Sequence, residues 1–423
     1  MRRQVDTMVL STHDHHQGHD GRARTRVLFV LGSVAGGGAE RIVAHLVKHL
    51  NRDEFDARVG LLWRHGDYLN QFIDSELVVA RVAQGWIPYR DQPRWWQLLP
   101  SLALVPLQQR EIVRRFRPDI VVTATKSMNI AARFSLPFAR RREFTWVARE
   151  GNNTSAMIDH ESAGCLRALQ NTAVRTAYRR ADRVVAISNG VGEALSRRFQ
   201  IDPRRVSTIY NAVDLATVST RAEELPPDLP AQPFIVSAGR LVHQKGFDLL
   251  IQAFARIISD RNVSLVILGE GPERAALEAL ARTHGVERRV FFPGFVDNPW
   301  SYFARAAAFV CASRWEGFGN VIIEAMACGV PVVATDCDFG PREIVRHGDS
   351  GVLVAVENVP AIGAALASIL DDRGWSARLA DGARRRAADF DVPQMTRTYE
   401  HMFRELTEGR PKRRPLQEHR HQL

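Results

Sequence analysis

Nowhere in the 423-residue chain do about 18 to 20 apolar residues run uninterrupted, so no membrane-spanning helix is expected. The opening MRRQVDTMVLSTHDHHQGHDGRARTR also lacks an apolar core long enough for a secretory signal peptide. Cysteine is scarce: Cys165, Cys311, Cys328 and Cys337 form no CxxC pair and no Cys/His ligand spacing, which argues against a metal module. They fall in apolar helical or strand-like contexts, as structural thiols in a reducing compartment do, and a cytoplasmic location is expected. Nucleic-acid-binding motifs are missing too. The arginines are dispersed, as in RRF at 114–116, RRRE at 140–143 and RRR at 384–386. The net charge of +10 then points to anionic small substrates or an anionic membrane face rather than to nucleic acid.

What remains is an ordinary globular composition, 45% hydrophobic and 25% charged, long enough for two domains with their own cores. His13, His15, His16 and His19 lie in a polar leader without caps or periodicity, where a disordered tail is the simpler reading, and no metal is assigned. The C-terminal GRPKRRPLQEHRHQL is a second tail, whose basic residues suit contact with anionic lipid.

Between the tails, short β-branched runs alternate with helical patterns: RVLFVLGS, DARVGLLW, DIVVTAT, FTWVARE and DRVVAISN in the first half, FIVSAGR, SLVILGEG, RVFFPGF, AAFVCAS, PVVATD and GVLV in the second. Such alternation predicts parallel sheets covered on both faces. It pauses at NAVDLATVSTRAEELPPDLPAQP (211–233), whose four prolines mark a boundary. The expected fold is α/β: two Rossmann-like, doubly wound domains facing across a cleft. The expected division is a leader 1–25, a first domain 26–211, a second domain 212–390, a helix 391–408 returning to the first domain, and a tail 409–423. Ligands of such folds sit beyond the carboxyl ends of the strands.

Three motifs fall at those ends. GSVAGGGAER brings Gly36, Gly37 and Gly38 to a helix start, but Arg41 stands where a dinucleotide fingerprint needs its third glycine, and the second strand ends in LLWRH without an acid. The glycines instead let backbone approach a ligand or the opposite domain, or simply form a tight turn. SAGRLVHQKGFDLL sets Arg240 and Lys245 at a strand's carboxyl edge, a pair of fixed cations suited to a diphosphate. EGFGNVIIEAMACG places Glu316 in a loop and Glu324 about one turn inside a helix over Val321–Cys328, with Asn320 as N-cap and Gly329 and Pro331 as the stop. A glycine-lined helix start favours an anion, and carboxylates on either side of it suit sugar hydroxyls.

Together with IYNAVD, LGEGPER, FFPGFVDNPW and GPREIV, these segments resemble the family 4 glycosyltransferases, in the family's order and over about residues 26–405. The resemblance implies the GT-B fold and transfer of a sugar from a nucleotide-sugar donor, with retention, and without metal or other cofactor. It implies that Arg240 and Lys245 hold the donor diphosphate, that Glu316 touches donor-sugar hydroxyls, and that Glu324 holds the ribose. The backbone of Gly317, Phe318, Gly319 and Asn320 would meet sugar and phosphate. Gly37 and Gly38 would close from the first domain, and Gly271 and Val296 would lie near the ribose or base. Several relatives carry a histidine after the strand that here reads FTWVA. This chain has REGNN, so Glu150 or Arg149 takes that place, and Glu150 joins Glu316, Arg240 and Lys245 as a catalytic candidate. The segment TDCDFGPREIV is similar to members that use UDP-sugars to extend lipid-linked or cell-surface glycans.

Residues 86–116 add Trp86, Trp95 and Trp96 beside Leu98, Leu99, Leu102 and Leu104 and flanking arginines. They read equally as a surface for peripheral contact with an anionic membrane and as a domain core edged by tryptophans. Two other functions compete: a glycoside hydrolase, which would need paired carboxylates but neither Arg240 nor Lys245, and a non-catalytic protein that binds a sugar nucleotide or glycan.

Overall fold

Strand runs such as VLFV and LVIL carry no polar alternation, so both faces must be covered. The computed structural model, which describes residues 24–34, 37–81, 98–136 and 143–408, covers them with helices. The first sheet comprises β1 (Thr25–Leu31), β2 (Phe55–Leu61), β3 (Leu77–Val79), β4 (Ile120–Thr123), β5 (Thr145–Glu150), β6 (Arg183–Ala186) and β7 (Val206–Thr208). They lie in the order β3-β2-β1-β4-β5-β6-β7, every neighbouring pair parallel. The second comprises β8 (Phe234–Ala238), β9 (Ser264–Leu268), β10 (Val290–Gly294), β11 (Ala308–Cys311), β12 (Val332–Thr335) and β13 (Val352–Val354). Its order is β10-β9-β8-β11-β12-β13, again all parallel.

The expected strands are all present. The short edge strands β3 and β7 have no counterpart in the sequence reading, because three residues are too few to show a period. In each sheet the winding reverses once, between β1 and β4 and between β8 and β11. Those two reversals are where chain leaving neighbouring strands splays apart and opens a crevice.

The halves are joined twice at one place. Val213, just before the helix Leu215–Ala222, pairs in parallel with Asp391, just before the helix Val392–Thr407. That last helix packs on the first sheet: Tyr399, Met402 and Phe403 are buried with Phe29 and Phe55, and the Phe403 ring meets the Phe55 ring edge-on at 6.0 Å.

Gly36, the histidine leader, Trp86, Trp95, Trp96 and the basic tail lie outside the described residues, as do the side chains of Leu98, Leu99 and Leu102. In the helix Leu98–Phe116, Leu104 is half-buried, Val105 buried and Leu107 half-exposed. Among the described residues no helix is long and apolar enough to cross a membrane.

Candidate active site in the interdomain cleft

Chain leaving β8 and β11, the reversal of the second sheet, brings Lys245 onto Glu316. Lys245 Nζ lies 2.5 Å from Glu316 Oε1, and Ser313 Oγ donates to the same oxygen at 2.8 Å. Burial works to lower the Lys245 ammonium, but the Glu316 carboxylate outweighs it, and the net shift is upward. Burial, then Glu316, pushes the neighbouring Cys311 thiol up, so this cysteine is a packed neutral group. Arg240, at the end of β8, is exposed, and its guanidinium is unpaired among the described residues. The second half therefore offers one tethered and one free cation at the same sheet edge.

Glu324 lies a turn inside the helix Asn320–Ala327, its side chain only 6% exposed. Its Oε2 accepts from Trp300 Nε1 at 3.0 Å, and its Oε1 accepts from Arg41 Nη1 at 2.6 Å, across the cleft. The expected cap needs correction. Gly319, at φ 103, is the N-cap, a backbone setting that glycine tolerates, and Asn320 is the first helical residue. The Asn320 amide is thereby released to accept from Asn211 Nδ2 at 2.9 Å, a second bond between the halves. Phe318 is buried and stacks on Tyr210 with ring centroids 5.3 Å apart, while its backbone packs against Gly340, where a Cβ would lie 2.0 Å from the Phe318 carbonyl oxygen.

From the first half, the helix Gly38–His49 follows Gly37 with no side-chain bond from its cap, and the carboxylate of Glu40 in its first turn folds back on its own backbone N–H, beside Gly37. A Cβ on Gly38 would stand 3.3 Å from Asn320 Nδ2, so the glycine turn sits against the second-domain helix start. At the end of β5 the alternation of side chains separates two neighbours. Arg149, 1% exposed, gives Nη2 to Asn211 Oδ1, while no hydrogen bond reaches its Nε and Nη1.

Of the two residues expected beside the donor, Glu150 has its side chain bonded within the first domain. It is equally buried and accepts from Tyr178 OH, from Thr154 Oγ1 at 2.8 Å and from Asn152 N at 3.1 Å. Burial raises its carboxyl above the usual range against those bonds.

The rest of the closure is made by the helix Asn189–Phe199. Its first N–H groups, Asn189 and Gly190, grip the two oxygens of Glu343 from the second half at 2.8 and 2.9 Å. Its cap Ser188 donates to Gly317 O at 2.8 Å. Tyr210 OH donates to Glu343 at 3.0 Å and is pushed up to about 12, by burial first and then by that carboxylate.

Gly37, Gly38, Gly317, Gly319, Asn320, Glu316, Glu324 and Lys245 thus converge. Gly271 and Val296 follow the ends of β9 and β10. Gly271 packs so closely on the Leu241 backbone that a Cβ would lie 2.3 Å from its carbonyl. Val296 lines a cavity of about 380 Å³ with Phe295, Tyr302 and the proline-rich linker. Sequence reading missed Arg41, Asn211, Trp300 and Glu343 as cleft residues. Each lies inside a motif already singled out, but none carries a spacing that reports its partner.

Chemically, both acids of the motif are held by cations, one from its own domain and one from the other. That is an arrangement for gripping hydroxyls and an anion, and it differs from the paired carboxylates of a hydrolase.

Comparison with known proteins agrees with this geometry. Residues 221–386 match the family described as glycosyl transferases group 1, and residues 36–217 match Glycosyltransferase Family 4. N-acetylgalactosamine-N,N'-diacetylbacillosaminyl-diphospho-undecaprenol 4-alpha-N-acetylgalactosaminyltransferase of Campylobacter jejuni is 31% identical over 368 residues, 86% of this chain and 95% of its own length. The lipopolysaccharide core biosynthesis glycosyltransferase LpsE of Rhizobium meliloti is 28% identical over 82% of this chain and 89% of its own. In fold, the chain is similar to Anabaena HepE, solved in complex with UDP-glucose, at TM-score 0.73 and 24% identity over 90% of this chain and 100% of the other. With both halves matched and the relatives spanned nearly end to end, the chain belongs to glycosyltransferase family 4 and is a nucleotide-sugar-dependent glycosyltransferase of the GT-B fold.

Proposed function

We propose that the protein moves a sugar from a UDP-sugar to a saccharide or lipid-linked acceptor, with retention, on the cytoplasmic face of a membrane to which it binds peripherally. The observation that carries the reading is the Lys245–Glu316 pair beside the open start of the helix Asn320–Ala327, with Glu324 one turn further in. In this reading Arg240, Lys245 and the helix N–H groups receive the donor diphosphate and stabilise the charge that grows on it as the glycosidic bond breaks. Glu316 accepts hydrogen bonds from the donor sugar and Glu324 from the ribose. Arg149, buried with two unbonded nitrogens, faces the same network through Asn211 and serves to position the sugar from below. Gly271 and Val296 serve the ribose or base. No metal or other cofactor has a part in these steps.

The choice of UDP is supported by the UDP-glucose bound in Anabaena HepE, and a lipid-linked or surface glycan acceptor by the names of the Campylobacter and Rhizobium relatives. Thermal unfolding with UDP, GDP and ADP in parallel tests the donor class. A nucleotide at a hundred times its dissociation constant adds roughly 2.7 kcal/mol to the folded state. UDP alone should stabilise, and Arg240→Ala should abolish the shift and lower turnover by about 10²- to 10³-fold. Binding of UDP without turnover of any UDP-sugar would favour a non-catalytic binding protein instead.

A further inference from the structure

In the helix Gly38–His49, residues four apart share a face, and Arg41, His45 and His49 form one such row. Arg41 reaches Glu324. The two histidines meet Asp214, the N-cap of the helix Leu215–Ala222, where the chain passes from the first sheet to the second. One ligand atom from each of the three lies within 4.8 Å of the other two. Asp214 Oδ1 accepts from Thr217 N at 3.0 Å and Oδ2 from Thr217 Oγ1 at 2.8 Å, so each oxygen keeps a lone pair in a carboxylate held still by its cap. His45 and Asp214 are half-buried and His49 exposed, which gives the cluster a floor and an entrance.

We propose that His45, His49 and Asp214 form a binding site for a divalent transition-metal ion of the zinc class, which pins the Gly38 helix to the interdomain crossover. Two imidazoles four residues apart on a helix are the pairing that helical zinc sites use. Adding one carboxylate makes a donor set that selects zinc, cobalt or nickel over magnesium or calcium. Ligand atoms roughly 2.0–2.1 Å from a tetrahedral zinc stand about 3.3 Å from one another, so the three side chains need only draw together by about 1.5 Å. Water would complete the shell from the exposed side.

The neighbouring charges are Lys48 on the same helix, Arg41 one turn earlier, and Asp391 on the returning segment. Asp391 is the bridge partner of Val213, so the ion would sit beside both passages of the chain between the halves. Holding the glycine-opened helix there would restrain the domain carrying Arg41 against the one carrying Glu324.

The test uses the full-length chain with His13, His15, His16, His19, His419 and His421 replaced by Gln, so that the histidines at those positions add no metal binding of their own. After chelation, Co2+ is titrated by visible absorption and Zn2+ by thermal unfolding. The site predicts one equivalent of cobalt with the intense bands of low coordination number, and a melting temperature that rises with zinc. His49→Gln alters an exposed side chain, and Asp214→Asn keeps a residue equally good as an N-cap. Each should weaken zinc at least about tenfold while the metal-free melting temperature stays at the parent value. Absence of saturable binding in the Gln background, or equal zinc affinity in both variants and the parent, overturns the proposal.

Discussion

Arg41 and Glu324 belong to opposite domains and are joined at 2.6 Å, Nη1 to Oε1, directly across the cleft. The first stands in the opening turn of the glycine-rich helix, the second in the helix behind the Glu316 loop. The carboxylate proposed to hold ribose is therefore paired with a cation of the other half. Donor binding must share or displace that cation.

Arg41→Ala removes the cation and leaves Glu324 buried with Trp300 as its hydrogen-bond donor. A buried carboxylate stripped of its ion pair costs about 1–3 kcal/mol. Urea unfolding should register that loss, and amide exchange across Asn320–Ala327 should quicken without nucleotide. Wild-type stability and exchange would show that the bond does not hold the cleft.

Lys245 is shifted upward, so the stability it contributes is present below its unfolded value of about 10.4 and is lost as pH climbs through the folded value. Glu316→Gln takes away the group that raises it and leaves burial, which lowers it. The variant should lose about 1–3 kcal/mol at pH 8, and its alkaline unfolding should begin at a lower pH than the parent's. Circular dichroism across pH 7 to 11 reads both effects.

Glu150→Gln should leave turnover within about twofold, since the carboxylate is bonded inside the first domain; a loss approaching the 10²- to 10⁴-fold typical of a lost acid or base would make it catalytic after all. Its carboxyl is raised by burial, so the stability linked to it is full below about 4.3 and is lost as pH rises through the folded value. Relative to the parent, the Gln variant should gain stability as pH rises from 4 toward neutrality, measured by denaturant titration.

Gly317 touches the other domain so closely that a Cβ would lie 2.7 Å from Asn152 Cα. Gly317→Val should prop the cleft open. Secondary structure and each domain's core stay intact, while turnover falls at least about tenfold, as misplacement of reacting groups by about 1 Å does. Small-angle scattering should report a larger radius of gyration. An unchanged radius with full turnover would place the two loops farther apart in solution.

Much of the fold was legible because its signals are local. Uninterrupted β-branched runs such as VLFV and LVIL report burial on both faces, and the prolines between Pro226 and Pro233 report a break. The edge strands β3 and β7 were not legible, since pairing with a neighbour, and not any local period, makes three residues a strand. Of the site, Arg240, Lys245, Glu316 and Glu324 stood out by chemistry and spacing. The partners of Glu150 were not legible, because an acid at a strand's end reads alike whichever way the pleat turns it, here toward Tyr178 and Thr154.

The sequence by itself determined the two parallel sheets, the glycine-lined helix start that follows Glu316 and the chemical character of the residues beside it, all consequences of residue type over a few positions. Only the tertiary structure decided which charges meet. The ion pair Arg41–Glu324 spans 283 residues, the grip of Asn189 and Gly190 on Glu343 spans more than 150, and His45 and His49 find Asp214 in the crossover. Such contacts depend on where the sheet reversals and the Val213–Asp391 junction set one domain against the other, and no local pattern of residues encodes that placement.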